Sequence, residues 1–137
     1  MTESTKIEFR YRRISQIDDI TDLVAILFPG NKNQQHAAAR ILMALKHVDD
    51  ILPTLGFLHQ QGISRRTLER TRAKLARLGL IEHVTWMNSR YGGRQGWKLS
   101  GRMSASLRAL AGKLEAWQKD SRSERREKDE RLLGVLD

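Results

Sequence analysis

The 137-residue sequence predicts a mainly α-helical α+β fold carrying one small β-hairpin. Three observations predict it. Apolar residues recur at helical spacing through four separate stretches. A single pair of alternating segments, near 81–87 and 97–100, brackets the glycine-rich turn Gly92-Gly93. Finally, residues 64–98 hold nine basic side chains against Glu69 and Glu82, giving +7 of the net +9. A basic surplus confined to one stretch points to a localised polyanion-binding face rather than a solubility charge spread over the surface.

Taken in order, residues 6–12 place Ile7, Phe9 and Tyr11 on alternate positions, the pattern of a short strand. Ser15 and Asp18 read as a helix start, and Ile17, Ile20, Val24, Leu27 and Phe28 as the stripe of the helix that follows. Pro29-Gly30 stops it, and Asn31 to Gln35 reads as a polar connection. A longer helix is expected from about Asn33 to Ile51, with Ala37, Ile41, Ala44, Leu45, Val48 and Leu52 inward. Pro53 to Gln60 fits a short helix that Gly62 closes at positive φ. Ser64 is an N-cap for a helix to about Leu78, with Leu68, Thr71, Leu75 and Leu78 buried. Gly79 ends it.

The hairpin follows. A Gly92-Gly93 turn sets Trp86 opposite Leu99, on the same face as Trp97. Met103, Leu107, Leu110, Leu114 and Trp117 then repeat at 4, 3, 4 and 3 residues, a heptad seam expected to form a dimer helix. Beyond Lys119 the 120–137 tail alternates charges, with Glu124/Lys128 and Glu127/Arg131 at helical pairing distance. The organisation expected is an N-terminal strand and helix extension (1–32), a DNA-binding domain (33–100), and a C-terminal dimerisation helix with a charged tail (101–137).

Helix, short helix, glycine turn, basic helix and hairpin in that order form the layout of a winged helix-turn-helix. Opposite Leu68 and Leu75, the basic helix carries Arg66, Glu69, Arg70, Ala73 and Arg77, flanked by Arg65 and Lys74. Arginine reads guanine O6 and N7 with two hydrogen bonds. Arg65, Arg66, Glu69 and Arg70 are therefore the expected base contacts. Thr67 and Lys74 are expected nearer the phosphates, and Ser64 and Arg77 complete the expected DNA-binding set of this helix. In the wing, Asn88, Ser89, Arg90, Tyr91, Arg94, Gln95 and Lys98 are expected to meet the minor groove or backbone, Arg90 and Arg94 at the tip.

The runs Gly62-Ile63-Ser64-Arg65-Arg66-Thr67-Leu68-Glu69-Arg70 and Leu75-Ala76-Arg77-Leu78-Gly79-Leu80-Ile81-Glu82 resemble the recognition helix and first wing strand of MarR-type bacterial and archaeal transcriptional regulators. In that family a Leu-x-x-x-Gly-Leu-Ile tail ends the recognition helix and enters the wing, and Leu75 to Ile81 matches it. The resemblance covers about residues 33–119. It implies a homodimeric regulator of double-stranded DNA. A winged-helix protein-interaction module, or a replication or mobile-element accessory protein, is the alternative expectation.

Other chemistry finds little footing. The chain has no cysteine, so neither a disulfide framework nor a thiolate metal site is available. His36, His47, His59 and His83 show no ligand spacing. Asp18-Asp19 and Asp49-Asp50 are adjacent pairs whose members face different sides of a helix. Gly92 to Gly96 lacks the Lys-Ser/Thr of a phosphate loop. No catalytic residue, metal or cofactor is expected, and no small-molecule effector is indicated. With no signal core and no stretch of about 20 apolar residues, the expected location is the cytoplasm, at the nucleoid.

Overall fold

Residues 5–85 and 94–136 are described by the computed structural model, and they divide into two compact units, Met1–Met103 and Ser104–Asp137. In the first unit α1 (Tyr11–Ser15), α2 (Ile20–Leu27) and α3 (Lys32–Lys46) precede a 3-10 turn, Gly56–Gln61. Then come α4 (Arg65–Leu78), β1 (Ile81–Val84) and β2 (Gly96–Leu99), the two strands pairing antiparallel. The helix α5 (Arg102–Lys119) leads into the second unit, which adds α6 (Ser123–Leu133) and a terminal 3-10 turn, Gly134–Leu136.

Local chemistry sets most of the helix ends. The Asn31 side chain accepts from the Gln34 N–H at the head of α3, and the Ser64 hydroxyl accepts from the Thr67 N–H at the head of α4. Gly62 and Gly79 both sit at φ 85°, the left-handed conformation that ends a helical segment without a Cβ penalty. At Gly79 the site is tight as well. A Cβ there would lie 2.9 Å from the Met103 backbone nitrogen.

One core joins these elements. Val24, Leu27 and Phe28 from α2 and its end meet Ala37, Ala38, Ile41, Leu42 and Leu45 of α3, all buried. Leu55 and Leu58 of the short turn, Ile63, Leu68 and Leu75 of α4 and Ile81 of β1 complete it. The stripe of α4 is thus buried as its spacing predicts, apart from half-buried Leu78. Thr71 on that stripe is fully buried, and its hydroxyl has no hydrogen-bond partner. A buried hydroxyl without a partner costs folding free energy that a methyl group of similar shape does not. Thr71→Val is therefore expected to stabilise the protein by about 0.5–1 kcal/mol, read as a rise in the thermal midpoint.

Several expectations are corrected. Residues 6–10 form no strand. Their backbone finds no partner strand, and Glu8 N–H instead donates to Ile26 O at 2.9 Å. Ser15 does not open the following helix. Its hydroxyl donates to Arg12 O at the end of α1, and Asp19 caps α2. The Asp19 carboxylate accepts from the Thr21 hydroxyl and from the Thr21 and Asp22 N–H groups, which lowers its pKa below the usual carboxylate value. The helix α3 ends at Lys46 rather than Ile51, because Asp49-Asp50 would set two negative charges against its negative end. In the tail, Arg125–Asp129 and Arg126–Glu130 approach to ion-pair distance, 3.3 and 3.2 Å, in place of the expected pairs.

The strand register also differs. Ile81, not Trp86, lies opposite Leu99, and His83 lies opposite Trp97. The reason is long-range: Leu52 and Trp97 exchange two backbone hydrogen bonds of 2.8 Å each, pinning β2 from its other edge. The same bridge delays the short turn to Gly56, three residues beyond Pro53.

Candidate nucleic-acid interface

The helix α4 sorts its side chains cleanly between core and solvent. Ser64, Arg65, Arg66, Glu69, Arg70 and Arg77 are exposed, while Thr67, Arg72 and Ala73 are half-buried. Taking 100° per residue, Arg66, Arg70 and Arg77 fall within about 20° of the direction opposite Leu68, with small Ala73 among them. That face therefore carries three arginines and one acid, Glu69, around a position where the helix surface is low.

Trp97 of β2 ties the sheet to this helix. The Arg72 guanidinium stacks 5.1 Å from the Trp97 ring centre, and the His83 ring meets the same tryptophan edge-on at 4.8 Å. Leu52 holds its backbone. The sequence assigned Trp97 to a cross-strand cluster with Trp86, and its attachment to α4 was not anticipated. Arg72 is four residues from Leu68 on α4, on the flank nearer the core, and that spacing was the available signal.

Three basic residues assigned to the interface have other partners. Lys74 is buried rather than phosphate-facing. Its Nζ donates to Lys6 O at 2.6 Å and lies 4.6 Å from the Phe28 ring centre. Desolvation lowers its pKa, with the charge of Arg77 adding to the effect. On the helical wheel Lys74 falls on the Thr71 and Leu78 side of α4, and its partner Lys6 lies 68 residues away in sequence. Arg94 is ion-paired with Asp50 and so lies against the α3 end of the unit, not on a free tip. Lys98, half-buried, pairs with Glu82 at 3.3 Å, and Arg102 reaches the same carboxylate at 3.4 Å. Gln95 is exposed beside them. Trp86, Asn88, Ser89, Arg90, Tyr91 and the Gly92-Gly93 turn lie outside the described residues.

A polar recess of about 150 Å³ opens beside the first turn of α4, lined by Asn33, His36, Gly62, Ile63, Ser64 and Thr67. In the seam of α5, Leu107, Leu110, Leu114 and Trp117 are exposed by 44–62%, and Met103 packs against the core. The Trp117 indole N–H donates to Asp129 on α6 at 2.9 Å. Among the described residues no group of three or more His, Asp or Glu side chains is placed to hold a metal, and no helix is long and apolar enough to cross a membrane.

No protein-family model, no curated protein and no solved structure matches this chain.

Proposed function

We propose that this protein binds double-stranded DNA as a winged helix-turn-helix, with α4 as the recognition helix in the major groove. The observation that carries this reading is the exposed face of α4, where Arg66, Arg70 and Arg77 surround Ala73 and outnumber the helix's one acid, Glu69. A helix of this width fits the major groove, and Arg65, Arg66 and Arg70 in its first half are within reach of base edges. Glu69 accepts from cytosine N4 or orients a neighbouring arginine. Ser64, Thr67 and Arg77 border the backbone, and β1 and β2 form the stem of the wing. The resemblance to MarR-type regulators favours a role in transcription, at a two-fold operator.

Titration of duplex DNA across a salt series tests the reading. Each phosphate neutralised contributes about −0.9 to the slope of log K against log salt, so a slope near −4 or steeper is expected. A flat salt response overturns it. Selection of bound sequences from a random duplex pool then separates sequence-specific binding from general phosphate binding.

The homodimer belongs to the same reading, supported by the exposed Leu107, Leu110, Leu114 and Trp117. Two-fold proteins read half-sites about one helical turn apart, so a dimer doubles the contacts made by one α4. Leu110→Glu with Leu114→Glu places charge in the centre of the seam while keeping good helix formers. The expected result is a halved mass in sedimentation equilibrium at unchanged helicity. An unchanged mass overturns the seam as the dimer contact.

A further inference from the structure

We propose that residues 6–13 form a second DNA contact, a basic arm that follows the phosphate backbone bordering the groove entered by α4. The proposal rests on the DNA-binding reading above and extends the interface to a segment outside the basic window.

The arm is attached to α4 itself. Lys74 Nζ holds the Lys6 carbonyl at 2.6 Å, and two residues on, Glu8 N–H holds Ile26 O at 2.9 Å. Burying a lysine amine to grip one carbonyl is a costly way to secure a surface segment. An apolar residue in that place would pack on Phe28 equally well and leave the segment untethered. Lys74 thus spends its charge on fixing where the segment starts.

What lies past the tether is suited to nucleic acid. Arg10, Arg12 and Arg13 are exposed, and with Lys6 against Glu8 they give residues 6–13 a net charge of +3. Between them Phe9 is 66% and Tyr11 73% exposed. The Arg12 guanidinium lies 5.7 Å from the Tyr11 ring centre, and Arg10 pairs with Glu8 at 3.3 Å. Aromatic rings alternating with arginines serve no core here, and such rings pack against sugars and bases while the arginines meet phosphates.

Position agrees with composition. On the α4 wheel Arg72, which holds the sheet through Trp97, lies about 40° to one side of Leu68, and Lys74 about 120° to the other. The anchor of the arm therefore lies about 40° from Arg70, at one edge of the exposed arginine face, while the sheet joins α4 on its core side. From Lys6 an extended chain reaches about 13 Å by Arg10, comparable to the roughly 12 Å width of the major groove.

The test uses the full chain and two variants. Arg10→Ala/Arg12→Ala/Arg13→Ala removes the three exposed charges of the arm, together with the Arg10–Glu8 pair and the Arg12–Tyr11 contact. It is expected to weaken duplex binding about 10- to 100-fold and to make the salt slope shallower by about 2–3, equally for preferred and unrelated sequences. Lys74→Met keeps every arm arginine and the buried volume but releases the tether. Hydroxyl-radical protection of the backbone sugars flanking the α4 contact is expected to disappear in both variants, while protection beneath α4 remains. If wild-type protein binds DNA through Arg66 and Arg70 but the triple variant keeps the slope and the flanking protection, the arm proposal falls alone. If wild-type protein binds no duplex, both readings fall.

Discussion

Replacing Arg66 and Arg70 together with alanine is expected to cost about 2–4 kcal/mol of specific DNA affinity, a loss of roughly 30- to 1000-fold. On the proposed reading each arginine would donate two parallel hydrogen bonds to a guanine edge, a contact of about 1–3 kcal/mol that no alanine replaces. The two residues are one turn apart on one face, so their losses need not add, and the lower half of the summed range is the expected outcome. Folding is not at stake. Both side chains are exposed, and alanine is the better helix former. The far-ultraviolet spectrum and thermal midpoint should stay within error of the parent. Residual binding through the remaining cations should persist with little sequence preference and a shallower salt slope. Competition assays with a selected duplex and a scrambled one resolve the two components. Intact discrimination in the double variant would remove α4 from the reading head.

The parts of this fold legible in the sequence are those decided within a few residues. Ser64, Gly62 and Gly79 act through their own backbone and the next turn, so their roles as cap and stops can be read from residue type alone. The buried stripe Leu68, Thr71 and Leu75 follows from period, and the exposed arginines of α4 follow as its complement. What the sequence hides is decided across distance. Alternation in residues 6–12 resembles a strand, yet a strand needs an edge to pair with, and the segment bonds instead to Ile26 O and the Lys74 side chain. Ser15 reads as the cap of the second helix, yet Asp19 takes that place. The choice of Asp19 depends on where α2 must sit to bury Val24 and Leu27. The partners of Lys74 and Arg94 lie 68 and 44 residues away, so both read locally as free cations.

The strand register is the clearest case of a distant determinant, and it yields the second large effect. Gly96→Ala is expected to destabilise the first unit by about 2–4 kcal/mol. A Cβ at Gly96 would lie 2.6 Å from the Leu52 carbonyl oxygen, 2.9 Å from its carbon and 3.0 Å from Pro53 Cα, all backbone atoms. None can yield by a rotamer change. Moving β2 away breaks the two 2.8 Å hydrogen bonds between Leu52 and Trp97, and moving Leu52 instead disturbs the entry to the turn that buries Leu55 and Leu58. Overpacking of this kind costs about 1–3 kcal/mol, and a lost hydrogen bond adds about 1. For a unit of this size each kcal/mol lowers the thermal midpoint by roughly 4–8 °C. Gly101→Ala is the matched control, because a Cβ there meets nothing within 4 Å, and its midpoint should hardly move. The consequence reaches the interface. Trp97 carries both the Leu52 bridge and the Arg72 stack, so displacing β2 shifts the sheet against α4. DNA affinity in Gly96→Ala should fall even at temperatures where the variant remains folded, with the change in Trp97 fluorescence marking the displaced strand. Unaltered stability in Gly96→Ala would mean that the bridge to Leu52 does not set the register of this sheet.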